Sequence, residues 1–327
     1  MAPRRLVVDV PRKDSVSGQR PAVAVPFDDG RATKPQGEPL WPDAKPPLSW
    51  KEKAAAAPPV VRSLDVAGVE IRYEIWGSPS ALPAIVLVHG MHAHARWWDP
   101  VAPYLAEERR VVAFDFSGMG ESGHRERYDS QLHAEEIRAV THATEAVGGI
   151  VIAHSYGATP SILASLRTRD LFSGMVILDS RISLPEMKPL TGSGPHVHWE
   201  KKLYGTFEEA LSRFRLTPPG PFADPEVLNH IAHHSIRQIE GGWSWKFDSQ
   251  LLRRIDLNVL IDPSGLTLPI AYIQGECSNV STPERMVLNR RYFPAARFLV
   301  LPAAGHHLMI DQPLALVSML RGLLVSS

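Results

Sequence analysis

Ile150-Val151-Ile152-Ala153-His154-Ser155-Tyr156-Gly157-Ala158-Thr159-Pro160 joins an apolar run to a helix-compatible stretch through a serine flanked at two residues' distance by Ala153 and Gly157. A strand that turns sharply into a helix holds such a serine at the tip, with its hydroxyl exposed at the sheet's edge. Larger side chains two residues either way would collide in so tight a turn. The helix that follows presents its positive end to the same spot, which favours negative charge developing on an attacked substrate. The bland reading of this stretch is an ordinary strand, turn and helix with a capping serine.

Outward from Ser155 the chain keeps alternating. Ile85 to Val88, Val111 to Phe114, Val176 to Leu178, Ile270 to Ile273 and Phe298 to Leu301 are short apolar runs, and Val69 to Ile75 alternates with period two. Runs of this kind predict strands, the continuous ones covered on both faces. Between them Pro100 to Glu108, Ser130 to Val147, Pro160 to Arg169, Pro283 to Tyr292 and Pro313 to Leu324 read as helices. Strands alternating with helices predict an α/β fold built on a doubly wound, mostly parallel sheet. Core segments are expected at 61–180 and 266–327. The stretch 181–265 breaks the alternation with two helical patterns, the proline-rich Thr217-Pro218-Pro219-Gly220-Pro221 and many aromatics, and reads as a mainly helical insertion. Residues 1–60 hold eleven of the 29 prolines and few apolar groups. They are expected to form a poorly ordered extension.

Composition narrows the function. The 327 residues are 44% hydrophobic and 21% charged, with 35 basic and 35 acidic side chains. So even a balance argues against general affinity for nucleic acid or an anionic membrane surface. The single Cys277 excludes an internal disulfide and any multi-cysteine metal site; it is expected to be buried and inert. No apolar run reaches the length of a membrane span, and the basic start lacks the apolar segment of a secretory signal. A cytoplasmic protein acting on a small molecule, without a cofactor, is the expectation.

Two further segments fit chemistry at Ser155. Val88-His89-Gly90-Met91 ends an apolar strand in a glycine that lets the backbone bend, so that the Met91 amide and the Tyr156 amide become candidate oxyanion donors. Ala304-Gly305-His306-His307 follows the last strand and supplies a candidate general base, His306 first and His307 second. Other motifs read differently. Gly118-Met119-Gly120-Glu121-Ser122-Gly123 has dinucleotide-site spacing, but no apolar-periodic helix follows it, so it reads as a loop with a structural Asp115. His89, His92 and His94 lack the aspartate that a His-x-His-x-Asp-His metal motif would need at Arg96, and His92 and His94 read as lining or bracing a cleft.

Together His89-Gly90, Asp115 to Ser122, Ala153-His154-Ser155-Tyr156-Gly157 and Gly305-His306 resemble the α/β-hydrolase superfamily over residues 61 to 325, in its capped serine-hydrolase, esterase or epoxide-hydrolase-like branch. The resemblance implies that 181–265 is a cap over the active site. It also implies an acid in a Gly-x-x-Asp after the strand that follows the cap, where this chain has Gly275-Glu276-Cys277-Ser278. Ser278 cannot stabilise a protonated histidine comparably. Two acids are open in its place: Asp179, at the end of the strand after the nucleophile's own, and Glu276.

A serine hydrolase of a small or medium apolar ester, lactone or thioester follows, with an acyl-enzyme on Ser155. Ser155 argues against alkyl-enzyme chemistry, which needs a carboxylate nucleophile. Two other readings stay open: a lyase or carbon–carbon bond hydrolase on the same triad, and a ligand-binding or signalling protein without catalysis.

Overall fold

The computed structural model describes residues 48–182, 184, 202–220, 222–257 and 259–325. The strands in chain order are β1 (Val60–Val66), β2 (Val69–Trp76), β3 (Ile85–Val88), β4 (Val111–Phe114), β5 (Tyr128–Asp129), β6 (Gly149–His154), β7 (Phe172–Leu178), β8 (Ile236–Ile239), β9 (Gly242–Trp245), β10 (Ile255–Asp256), β11 (Ile270–Gly275) and β12 (Arg297–Leu301). Eight of them form one sheet in the order β1-β2-β4-β3-β6-β7-β11-β12. β2 runs antiparallel to β1 and β4, and every pairing from β4 onward is parallel.

The continuous apolar runs make sense once the two faces are separated. Successive strand side chains point to opposite faces. Val86, Val88, Val151 and Ala153 join one buried cluster. Ile85, Leu87, Ile150 and Ile152 join the other. Helices α3 (Ser130–Ala143) and α4 (Ala158–Arg167) cover the first face, and α10 (Pro313–Val325) covers the second with Leu316, Val317, Leu320 and Leu324. Both faces are therefore dry, and each strand must be apolar throughout.

The other helices are α1 (Trp50–Ala56), α2 (Ala102–Leu105), α5 (Phe207–Ser212), α6 (Pro225–His234), α7 (Leu251–Arg254), α8 (Pro283–Tyr292) and α9 (Leu308–Asp311). Their starts are encoded locally: Asp129, Thr206, Asp224 and Thr282 each cap the helix that follows by accepting main-chain N–H bonds. Among the described residues no helix is long and apolar enough to cross a membrane.

The expected extension falls mostly on 1–47, outside the described residues; its last part is corrected. Ser49 and Glu52 form a reciprocal capping box that starts α1. Trp50 is buried, its ring edge-on to His230, and the Tyr104 hydroxyl donates to the Leu48 carbonyl. Four alanines in a row, capped at their start, outweigh the prolines on either side.

The insertion, in its described part, contains α5 and α6 together with an antiparallel hairpin, β8–β9, turned at Glu240-Gly241. Tyr204, Phe207, Trp243 and Trp245 pack with Ala210 and Ile236 into a small core of its own. Cys277 is exposed, which corrects the expectation of a buried thiol. It sits on the loop beyond β11, where its amide donates to the Ala304 carbonyl while its side chain faces outward.

Candidate active site

In open α/β sheets the ligand crevice lies outside the carboxyl ends of the strands where the strand order reverses. Here the chain moves from β3 to β4 on one side and returns to β6 on the other, so the crevice opens at the ends of β3 and β6. Val88 pairs with Ala153, which sets His89-Gly90 beside His154-Ser155.

Ser155 has φ +51°, a left-handed conformation that costs a non-glycine residue about 1–2 kcal/mol. The turn survives because its neighbours leave room. A Cβ on Gly157 would lie 2.6 Å from the His89 carbonyl oxygen, and one on Gly90 would lie 2.9 Å from His154 Nδ1 and 3.1 Å from Ser155 Cβ. Backbone of the β3 loop and the serine turn thus touch directly.

The loops after β7 and β12 complete the arrangement. The Ser155 hydroxyl lies 2.9 Å from His306 Nε2, and His306 Nδ1 lies 3.1 Å from Asp179 Oδ1. A carboxylate only accepts, so Nδ1 carries the proton and Nε2 presents its lone pair to Ser155. Asp179 is wholly buried. The hydroxyls of Ser278 and Ser281 also donate to its Oδ1, at 2.7 and 3.0 Å, and the Gly275 amide donates to Oδ2 at 2.8 Å. Four donors thus converge on one buried carboxylate and fix its orientation toward His306.

Of the two acids left open by sequence, Asp179 meets His306. Glu276 does not: its carboxylate accepts from the Ala303 amide at 3.0 Å. Ser278, where an aspartate was expected, has become a donor to the acid that replaces it. His307 donates from Nε2 to the Pro218 carbonyl at 2.9 Å, and burial pulls its pKa down to about 4. His154 donates to the His306 carbonyl at 2.9 Å and, being buried, is held well below the usual histidine range. Gly305 is fixed by its amide's bond to Asp311 Oδ2 at 2.7 Å, which shapes the loop that carries His306.

The candidate oxyanion amides are both close to Ser155, along the chain or across it: Tyr156 follows it directly, and Met91 follows Gly90, on which a Cβ would lie 3.1 Å from Ser155 Cβ. The Tyr156 side chain turns away, sharing a 2.7 Å hydrogen bond with His133. His89, named in sequence at the His-Gly strand end without a role, is placed as a positioning residue. The Phe116 amide donates to its Nε2 at 3.1 Å, so its Nδ1 carries a proton and donates to the Gly90 carbonyl at 2.7 Å. That bond orients the Gly90–Met91 peptide and hence the Met91 N–H. Its signal in sequence is a histidine placed directly before the glycine at a strand end. His89→Ala is expected to lower kcat on a chromogenic ester by about ten- to a hundredfold, somewhat less than deleting an oxyanion donor outright. His89→Asn, which keeps a donor near the Nδ1 position, recovers part of the loss; equal turnover in wild type and His89→Ala would remove the role.

Asp115 is structural. Its carboxylate accepts from the Ala95 amide at 2.6 Å and the Glu121 amide at 2.8 Å, tying two loops together, and burial raises its pKa. The Gly118 amide bonds the Gly123 carbonyl at 2.8 Å, closing the glycine-rich stretch into a loop. His94 donates from Nε2 to Ser235 Oγ at 2.9 Å, linking core to cap, and the His92 ring lies 4.6 Å from that of Phe247. Two clusters have ring or carboxylate atoms within 4.8 Å of each other, His154 with His306 and His307, and Asp99 with His230 and His234. In the first His306 bonds Ser155 and Asp179; in the second the Asp99 carboxylate is taken by His230 at 2.6 Å and Arg96 at 2.8 Å.

Comparison with known proteins agrees with the fold. The profile of the alpha/beta hydrolase family matches residues 85–319, and the chain belongs to that family. An esterase of Mycobacterium tuberculosis, Rv0045c, is 27% identical over 259 residues, covering 76% of this chain and 84% of its own. The mouse sn-1-specific diacylglycerol lipase ABHD11 is 23% identical over 272 residues, covering 76% and 83%. Among solved structures, the thioesterase domain of the curacin biosynthetic pathway superposes with a TM-score of 0.68 at 22% identity, over 80% of this chain and 99% of that one.

Proposed function

We propose that the protein is a serine hydrolase that cleaves a small or medium apolar ester, lactone or thioester through an acyl-enzyme on Ser155. The observation that carries this reading is the continuous pair of hydrogen bonds from Ser155 through His306 to the buried Asp179. The named activities of the sequence relatives, an esterase and a lipase, support ester-type bonds.

In this reading His306 Nε2 takes the hydroxyl proton as Ser155 Oγ attacks the carbonyl carbon. Asp179 stabilises the imidazolium without itself taking the proton. The carbonyl oxygen gathers negative charge between the Met91 and Tyr156 amides, each worth roughly 3–4 kcal/mol in related chemistry. Collapse expels the alcohol or thiol, which receives its proton from His306. Water then gives a proton to His306 and attacks the acyl carbon, and Ser155 leaves with that proton. The departure at Gly-x-x-Asp, which kept a non-catalytic reading open, loses its weight because Ser278 supports Asp179.

The test is the intact mass of the protein after incubation with a fluorophosphonate. Wild type is expected to gain one adduct and Ser155→Ala none. An adduct that persists in Ser155→Ala, or its absence from wild type, overturns the reading.

A further inference from the structure

A cavity of about 420 Å³ lies beside the triad, between the loop after β3 and the cap. Two of its lining residues neighbour residues that touch the triad. Met91 lines it, next to the glycine that touches Ser155. Trp97 lines it too, with its ring 5.4 Å from that of His307, the neighbour of His306. Phe214, Trp245 and Phe247 add apolar wall. Such a surface suits a hydrocarbon segment.

The rim has a different character. In the cap segment Arg213-Phe214-Arg215-Leu216, Phe214 and Leu216 pack against the core while the two arginines stay exposed and still line the cavity. Lys246 lines it as well, but its charge is answered by Glu121 at 2.5 Å. Among the described residues Arg215 donates to neutral carbonyls, those of Ser212 at 2.9 Å and Phe214 at 2.6 Å. Among the described residues neither arginine has a carboxylate partner, and no Asp or Glu lines the cavity. Two exposed guanidinium groups with no carboxylate partner among the described residues, lining a mostly apolar cleft, are matched by an oxyanion, to which Arg offers a planar fork of donors.

We propose that the substrate is an ester or thioester whose far end carries a carboxylate or phosphate, with its apolar segment along the aromatic wall and its anionic end at Arg213 and Arg215. This rests on the ester-hydrolase reading of Ser155 and adds the charge of the substrate to it.

The experiment compares kcat/KM for three p-nitrophenyl esters of equal chain length: hexanoate, the adipate monoester and 5-phosphonopentanoate. Wild type is expected to prefer an anionic ester to hexanoate by about tenfold, a preference that shrinks with added salt because the rim is solvent-exposed. The preferred anionic ester names the group. Arg213→Gln/Arg215→Gln brings the ratio to about one, and Arg213→Glu/Arg215→Glu inverts it. Because each ratio is taken within one protein, partial misfolding cancels. A wild-type ratio near one, or a ratio that the arginine variants leave unchanged, overturns the proposal while leaving ester hydrolysis intact. If no ester is turned over and no fluorophosphonate adduct forms, the reading of Ser155 fails instead. Calorimetry of monomethyl adipate against methyl hexanoate on Ser155→Ala then still decides the rim: selective binding of the anion upholds it, and equal or absent binding of both removes it.

Discussion

Asp179→Asn is expected to lower kcat on a chromogenic ester by on the order of 10⁴, with Glu276→Gln within about twofold of wild type. The reason lies in the four donors that converge on Asp179. Its Oδ2 accepts from the Gly275 main chain, whose N–H has no freedom to turn away. Its Oδ1 accepts from His306 and from the hydroxyls of Ser278 and Ser281; that of Ser281 can turn to accept instead, while that of Ser278 already accepts from the Val280 and Ser281 amides and would lose its bond. An asparagine therefore places its oxygen toward Gly275 and its NH₂ toward His306. His306 Nδ1 must then accept, and the ring proton moves to Nε2, facing Ser155. In that tautomer the ring has no lone pair with which to take the serine proton. Geometry is kept and chemistry is lost, so KM changes far less than kcat. Glu276 bonds only the exposed turn at Ala303, away from the histidine. Asp179→Asn within about tenfold of wild type, or a large loss in Glu276→Gln, would reverse the assignment of the acid.

What was legible in the sequence follows from how local each signal is. β3, β4 and α8 match their sequence boundaries because one physical rule, burial of both strand faces or an N-cap followed by proline, decides each end. The elbow at Ser155 was legible for the same reason: a residue without a side chain at 157 is required by backbone contact with the end of β3, whatever the rest of the chain does. Which carboxylate meets His306 was not, since Asp179 and Glu276 are equally good residues and the placement of β7 beside β11 brings Asp179 there. The support from Ser278 and Ser281 depends on that same placement, whereas the link from His89 through Gly90 to the Met91 amide depends on β4 lying beside β3, which sets Phe116 against His89. α1 was hidden for a different reason. Proline counts describe a window, whereas Ser49 and Glu52 act on a single turn and Trp50 finds its cover on α6, far away in sequence. The β8–β9 hairpin sits between helices and is too short for a period-two pattern to stand out.

The second large effect is on stability, and it comes from histidines that the fold keeps neutral. Burial lowers the pKa of His89 and His307 to about 4 and that of His133 to about 3. In the unfolded chain each returns to near 6.5, so between pH 6.5 and 4 the unfolded state binds more protons than the folded one. Stability is complete above pH 6.5 and is lost as the pH falls through this window. From pH 7 to pH 5 each of the three contributes a loss of about 2 kcal/mol. His154 and His94, also held low by burial, act in the same direction. Glu74 opposes them. Desolvation raises its pKa to about 7, so the folded state gains a proton on acidification and recovers about 2 kcal/mol over the same interval. Histidine wins by number, leaving a net loss on the order of 3 kcal/mol or more against a typical total of about 5–15 kcal/mol. The urea midpoint followed by circular dichroism should therefore fall clearly between pH 7 and pH 5. His133→Gln, which removes one titrating ring from beneath Phe116, should reduce that fall by about 2 kcal/mol. A midpoint that holds steady or rises on acidification would mean that Glu74 and the other buried carboxylates, Asp115, Glu136 and Asp311, whose burial also raises their pKa values, outweigh the histidines.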